Sequence, residues 1–245
     1  SFKYYSARLG LDGIDAHQFD SPFDYKNQAL LLVPDHLPDP SDSHYARHFG
    51  ELCCDLIEST EGYCFILFTS YRMLSWTASY LRSKIANPLF IQGDYQRSEI
   101  LHQYLKASNP VLLGTSSFWE GVDVKGDRLR CVIIDKLPFK SPQDPVYRRR
   151  LQLATQNSGN AFTDIQIPEA TISLRQGVGR LIRDIDDKGI VALCDNRLNS
   201  KPYGKKMLDS LPPMQRSKSL AEAIKFARAA FHEEESHPRY KTSLI

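Results

Sequence analysis

An α/β protein built on a mostly parallel sheet with helices on both faces is what this sequence predicts. Three observations predict it. Short apolar runs recur at residues 28–33 (QALLLV), 64–68 (CFILF), 88–92 (PLFIQ), 111–114 (VLLG), 131–135 (CVIID) and 190–195 (IVALCD). The runs are continuous rather than alternating, as in strands buried on both faces. Amphipathic helical patterns separate them, which is the order expected of a doubly covered parallel sheet.

The elements are taken in chain order. A short helical piece is expected over residues 2–9, stopped at Gly10. The strand at 28–33 leads into residues 34–43, a loop holding three prolines and three aspartates. Residues 43–58 carry Phe49, Leu52, Cys53, Leu56 and Ile57 at helical spacing, and Gly62 breaks the pattern. After 64–68, Ser70 is the expected N-cap of a helix with Leu74, Ala78, Leu81 and Ile85 on one face. The strand at 88–92 precedes a helix anchored by Ile100, Leu101, Tyr104 and Leu105. Residues 138–168 interrupt the alternation: a proline-rich loop, a helix over 146–156 carrying Arg148, Arg149 and Arg150, and a polar stretch, NSGNAFTD. An arginine triplet of this kind is more often a solvated face than a site. Residues 199–218 are basic and read as a loop. Ser219 and Glu222 have capping-box spacing and open a helix expected to run to about Glu234. The strands end in Thr-Ser, Gln-Gly, Thr-Ser, Asp-Lys and Asp-Asn, so polar groups collect at their carboxyl ends, where open α/β sheets place ligands.

Composition narrows the function classes. The chain has 245 residues, 42% hydrophobic and 24% charged, which is ordinary for a globular protein. A net charge of +2 gives no overall pull toward nucleic acid or membrane, so any nucleic-acid contact must be a local patch. The five cysteines make no C-x-x-C pair, and Cys64, Cys131 and Cys194 sit inside apolar runs. Reduced thiols behave there as small hydrophobes, which suggests a reducing, cytoplasmic setting. No apolar run approaches the 18 or so residues of a membrane span. The chain opens on Ser1 in mid-pattern, as expected of a piece of a longer protein.

Two stretches carry chemistry. In residues 168–184 (PEATISLRQGVGRLIRD), proline is tolerated as the first helical residue, so a helix is expected from Pro168 onward. At about 100° per residue, Gln176, Arg180 and Arg183 share one face, and Ala170, Leu174, Val178, Leu181 and Ile182 the other. Gly177 and Gly179 would each cost about 1 kcal/mol within a helix, which points to close backbone approach. Two arginines one turn apart form a fork suited to phosphate oxygens, although an isolated R-x-x-R is more often a solvated basic face. Upstream, residues 113–126 (LGTSSFWEGVDVKG) run from a strand into Thr115, Ser116 and Ser117, then Trp119, Glu120, Gly121 and Asp123. Hydroxyls and backbone N–H groups at a strand end can hold a phosphodiester. Alone, the segment reads more readily as a turn leading into a capped helix.

Together the two stretches resemble a known family. Residues 114–123 (GTSSFWEGVD) and 176–183 (QGVGRLIR) resemble motifs V and VI of superfamily 2 helicases, most closely the DinG/YoaA-type, XPD-like branch. Residues 64–70 resemble motif IV, 131–139 (CVIIDKLPF) the strand that follows motif V, and 21–25 (SPFDY) the lead-in to the second motor domain. The resemblance covers roughly residues 20–215 and implies a three-layer RecA-like domain over 25–215. A lead-in would occupy 1–24, and a C-terminal helix and tail 216–245. It implies ATP-dependent DNA unwinding in repair and replication, usually 5′ to 3′, with an iron–sulfur cluster commonly in the other motor domain. The sequence has no G-x-x-x-x-G-K-[ST] loop and no D-E-A-H-like motif, so ATP and Mg²⁺ would be held mainly by a first motor domain.

On this resemblance Arg183 is the arginine finger, Arg180 its partner, and Gln176 the link to the DNA side. Asp123, Glu120, Gly121 and Gly179 would face the nucleotide or the arginines. Thr69, Ser70, Thr115 and Ser116 would touch the DNA backbone. The implied partners are single-stranded DNA and the N-terminal motor domain of the same protein. An alternative makes the chain an interaction module docking the helicase onto replication machinery, such as the chi subunit of DNA polymerase III, through residues 199–218 and 219–234. A free-standing enzyme acting on a phosphorylated small molecule would need a base or nucleophile beside Asp123, Glu120 and the arginines, and the sequence offers none.

Overall fold

The computed structural model describes residues 9–11, 15, 17, 21–115, 118, 124, 126–156 and 159–232. The expected helix over residues 2–9 and the tail after 232 lie outside them, apart from Leu9. Seven strands form one sheet: β1 Ala29–Leu32, β2 Cys64–Leu67, β3 Leu89–Ile91, β4 Val111–Gly114, β5 Cys131–Ile134, β6 Gly189–Leu193 and β7 Gln215–Ser217. Their order is β3-β4-β2-β5-β6-β1-β7, and every pairing is parallel.

The strands alternate with helices α1 Tyr25–Gln28, α2 Tyr45–Ser59, α3 Tyr71–Arg82, α4 Arg97–Lys106, α5 Pro145–Gln156, α6 Ile167–Val178, α7 Arg197–Ser200, α8 Pro202–Asp209 and α9 Leu220–Phe231. Successive strand side chains point to opposite faces, and both faces are buried. Phe65, Leu67, Val132, Ile134, Val191 and Leu193 pack with Tyr104 of α4, Leu174 and Val178 of α6 and Met207 of α8. Cys64, Ile66, Cys131, Ile133, Ile190 and Ala192 pack with Phe49 and Leu52 of α2, Leu81 of α3 and Ala223 and Ala227 of α9. The result is the expected three-layer α/β domain.

The local signals behave as the sequence predicts at two caps. The Ser70 hydroxyl accepts the Met73 N–H at the start of α3. The Ser219 hydroxyl accepts the Glu222 N–H at the start of α9, but the reciprocal half of the capping box runs through Ser217, whose hydroxyl accepts the Ser219 N–H and donates to the Glu222 carboxylate. All five cysteines are thiols, and burial pushes those of Cys53, Cys64 and Cys194 well up.

Three expectations are corrected. Residues 199–218 are not a loop: they complete α7, form α8 and end in β7, which pairs with β1 at Leu30↔Gln215. Pro202 stands in the first turn of α8, where its missing N–H costs nothing, and Met207, Leu211 and Met214 are buried in the core. The stretch before α6 is not irregular: Phe162–Gln166 is a π-helical turn running directly into α6, so Pro168 is not the first helical residue. Finally, α6 stops at Val178, with Gly179 as C-cap, well short of the expected Asp184.

Candidate functional site

At the carboxyl edge of the sheet, polar side chains tie three pairs of neighbouring strand ends together. Gln92, after β3, accepts the N–H and hydroxyl of Thr115, after β4, at 2.6 and 3.0 Å. Asp135, after β5, accepts the N–H of Thr69, after β2, at 2.9 Å and its own neighbour Lys136 N–H at 2.7 Å. Asp195, after β6, accepts the Leu137 N–H at 2.8 Å and is bridged by Arg197 at 2.5–3.1 Å. Asp135 lies in low dielectric, which penalises its charge. For Asp135 burial outweighs the amide donors and the Lys136 ammonium, and its pKa is pushed up to about 7.

The predicted DNA-facing residues are thus held in different ways. Thr69 is exposed, its hydroxyl 3.4 Å from Asp135 Oδ2. The Ser70 hydroxyl is taken up in capping α3. Thr115 is buried and bonded to Gln92. Ser116, Glu120, Gly121 and Asp123 lie outside the described residues. Beside Thr69 opens a cavity of about 630 Å³, lined among others by Phe68, Phe139, Lys140, Tyr147, Arg150, Ser173 and Gln176. Thr69 and Gln176 therefore share one cavity. Of the arginine triplet, Arg148 and Arg149 are exposed. Arg150 bonds Glu169 at 2.8 Å within this cavity's wall, with Lys140 at 3.3 Å from the same carboxylate.

The two arginines do not share a helix face with Gln176. The Gly179 N–H still reaches the Arg175 carbonyl, but those of Arg180 and Leu181 bond the Gly177 and Val178 carbonyls, three residues back, both at 3.3 Å. The helix thus tightens and ends. A Cβ on Gly179 would stand 3.1 Å from the Arg175 carbonyl oxygen, closer than nearly all real contacts. Leu181 and Ile182 are nevertheless buried, at 2% and 4% exposure, so the chain after the helix is threaded into the core. That is why the apolar pattern runs on past the helix end.

Beyond Ile182 the chain forms a short, heavily bonded loop. Asp187 Oδ2 accepts the N–H groups of Arg183 and Asp184, both at 2.8 Å. Gln28 Nε2, at the end of α1, donates to the carbonyls of Asp184, Ile185 and Asp187 at 2.9, 3.0 and 3.0 Å. Arg183 is half-buried; burial lowers its pKa from the usual value and the Asp187 carboxylate opposes that. A guanidinium remains charged all the same. The loop leads into Gly189 at the start of β6, so Arg183 is held toward the amino edge, away from Thr69 and Thr115 at the carboxyl edge. Sequence reasoning missed Gln28, Asp187, Gln92, Asp135 and Asp195 as holding residues. Only the polar strand ends signalled any of them.

Comparison with known proteins agrees with this architecture. Residues 53–214 match the family model described as the helicase C-terminal domain. The ATP-dependent DNA helicase YoaA of Escherichia coli strain K12 is 44% identical over 223 residues, covering 91% of this chain and 35% of that protein. Its namesake from Haemophilus influenzae is 44% identical over 226 residues, covering 92% and 35%. The ATP-dependent DNA helicase DinG of Photobacterium profundum is 37% identical, covering 88% and 32%. The chain therefore spans about a third of the length of these curated relatives. An apo XPD structure superposes with a TM-score of 0.65 at 19% identity, covering 89% of this chain and 46% of that one, a likeness of fold. On the family match, the chain belongs to the helicase C-terminal domain family, and the relatives it resembles are helicases of the DinG and YoaA types.

Proposed function

We propose that residues 25–215 form the second RecA-like motor domain of an ATP-dependent DNA helicase and supply half of an ATP site that lies between two domains. Arg183 is the finger, Arg180 its partner, and Gln176 the link to the DNA side. Gly179, with Glu120, Gly121 and Asp123, faces the nucleotide or the arginines. Thr69, Ser70, Thr115 and Ser116 form part of the single-strand track. The first motor domain holds ATP and Mg²⁺, and any iron–sulfur cluster lies there too.

The observation that carries this reading is how Arg183 is held. Its backbone is fixed by Asp187, and the loop by Gln28, at the edge opposite the one where this fold would bind a ligand of its own. A cation fixed there suits a phosphate presented by another domain. Contacts from Arg180 and Arg183 exist only when the two domains close, so they favour closure by their differential affinity. They also neutralise charge as it develops in transfer of the γ-phosphoryl group. Thr69 beside the cavity that also reaches Gln176 supplies a grip on the strand. Such grips read phosphates rather than bases, so binding should show little sequence preference and a marked salt dependence.

The test is ATP turnover by the full-length protein with single-stranded DNA. Arg183→Ala should lower turnover about 10³-fold, as for other arginine fingers. Arg183→Lys should recover little, since a point charge does not replace the fork. The 245-residue chain alone should not turn over ATP. Unchanged turnover in Arg183→Ala, or DNA-stimulated turnover by the chain alone, would overturn the half-site reading.

A further inference from the structure

Gln28 stands out among the buried polar groups. It is 6% exposed, and its one amide nitrogen faces three carbonyls, those of Asp184, Ile185 and Asp187. Two hydrogens serve three acceptors, so at least one bond is shared. The reverse orientation of the amide would set Oε1 against the same three carbonyl oxygens, so the donor side is fixed by its surroundings. The amide oxygen meanwhile meets no hydrogen-bond donor among the described residues. A buried acceptor without a donor lowers stability, and a native structure that keeps one needs a reason.

The second half of the arrangement is Asp187, 6% exposed, whose Oδ2 takes the N–H groups of Arg183 and Asp184. The two side chains hold the loop from both sides, one by its N–H groups and one by its carbonyls. They come from separate strand starts: Gln28 directly precedes β1, and Asp187 stands two residues before β6. The register Ala29↔Gly189 sets those starts side by side. Between its anchors the loop has no packing to hold it, since Asp184, Ile185 and Asp186 are exposed, Ile185 at 70%.

We propose that Gln28 and Asp187 are positioning residues for Arg183: a two-sided clamp that fixes the backbone from which the guanidinium reaches the γ-phosphate. The inference rests on the reading of Arg183 as the finger. Catalysis by a charge aimed at a transition state depends on its being in place beforehand, and a misplacement of about 1 Å can cost roughly a hundredfold in rate. Loosening the clamp should therefore act on turnover more than on ground-state binding.

The experiment is a double-mutant cycle in the full-length protein with single-stranded DNA. Gln28→Met keeps the length of the side chain and removes both donors. It should lower kcat by about ten- to a hundredfold, with KM for ATP and DNA affinity little changed. In an Arg183→Ala background the same substitution should cost nothing further, because the group it positions is gone. Asp187→Ala should behave alike, with Asp187→Asn, which keeps an acceptor oxygen, recovering part of the loss. If Gln28→Met does not fold, the Asp187→Ala cycle decides. Arg183→Ala impaired with either clamp variant at full turnover, or with losses that multiply, overturns the clamp and leaves the finger standing. Arg183→Ala at full turnover overturns both.

Discussion

Asp135 gives the sharpest stability prediction. It is fully buried at the end of β5. Its Oδ1 accepts the Thr69 and Lys136 N–H groups, and the Thr69 hydroxyl lies 3.4 Å from Oδ2. Burial raises its pKa from 3.8 to about 7 against those donors and the Lys136 charge. The folded protein therefore holds this proton more tightly than the unfolded chain. The associated stability is fully present below about pH 4 and is lost as pH rises through about 7. A difference of about 3 in pKa, at about 1.4 kcal/mol each, makes the total loss about 4 kcal/mol. Part of it is already lost at pH 5, since the unfolded carboxyl is ionised there, leaving a change of roughly 2–3 kcal/mol between pH 5 and pH 8. Asp135→Asn is the matched perturbation: Oδ1 keeps both N–H bonds, and Nδ2 can donate to the Thr69 hydroxyl where the carboxylate accepted. Urea unfolding of the 245-residue chain and of the variant at both pH values isolates the effect, because every other titrating group cancels in the difference. The variant should gain on the parent by roughly 2–3 kcal/mol between pH 5 and pH 8. A difference independent of pH, or an Asn variant less stable at pH 8, would refute burial as the controlling cause.

Packing and pairing supply two further perturbations. Gly189→Ala would place a Cβ 2.5 Å from the Arg130 carbonyl oxygen and 2.6 Å from Leu181 Cδ1, where β6 begins. The neighbours are backbone and a buried leucine, so thermal unfolding should report a loss of roughly 1–3 kcal/mol, and an unchanged Tm would contradict the close approach. Arg197→Ala would strip Asp195, 2% exposed, of its charged partner at 2.5–3.1 Å. A carboxylate left buried without its cation costs roughly 3 kcal/mol, readable as a lower urea midpoint, and a midpoint within error of the parent would show that the ion pair contributes nothing to stability.

Much of the fold was legible because its signal is local. Residues 64–67 and 131–134 are apolar throughout and buried throughout, so an unbroken apolar run located β2 and β5. Ser70 and Ser219 announced two helix starts by residue type and spacing. β7 was not legible: it is three residues, QRS, on an edge, and only Ser217 is buried, so it has no apolar pattern to read. The end of α6 was misread for a different reason. Leu181 and Ile182 continue a helical spacing, yet they are apolar because a loop dips into the core, and burial does not record which backbone brings it about. Gly177 and Gly179 were the stop signal, since glycine is the residue that most often closes a helix. The holding residues were out of reach altogether. Gln28 and Asp184 are separated by 156 positions, and an amide that will meet three carbonyls looks in sequence like any surface glutamine.

The corrected end of α6 changes how the domain would couple its two edges. A helix running through to Asp184 would carry Gln176, Arg180 and Arg183 on one rigid stripe, with all three facing the same way. Instead Gln176 rides on the exposed side of α6 beside the Thr69 cavity, and the arginines sit on a loop whose apolar members, Leu181 and Ile182, are sunk in the same core as Leu174 and Val178. A close-packed interior does not deform continuously, so a push on α6 at the cavity moves the helix and the buried part of the loop together. The far end of the loop is tied to β1 and β6 rather than to α6. Displacement at the carboxyl edge would then load residues 183–187, between a part that follows the helix and a part that follows the sheet. Under the proposed function, movement there would change the reach of Arg183, and Gln28 and Asp187 stiffen the segment against it.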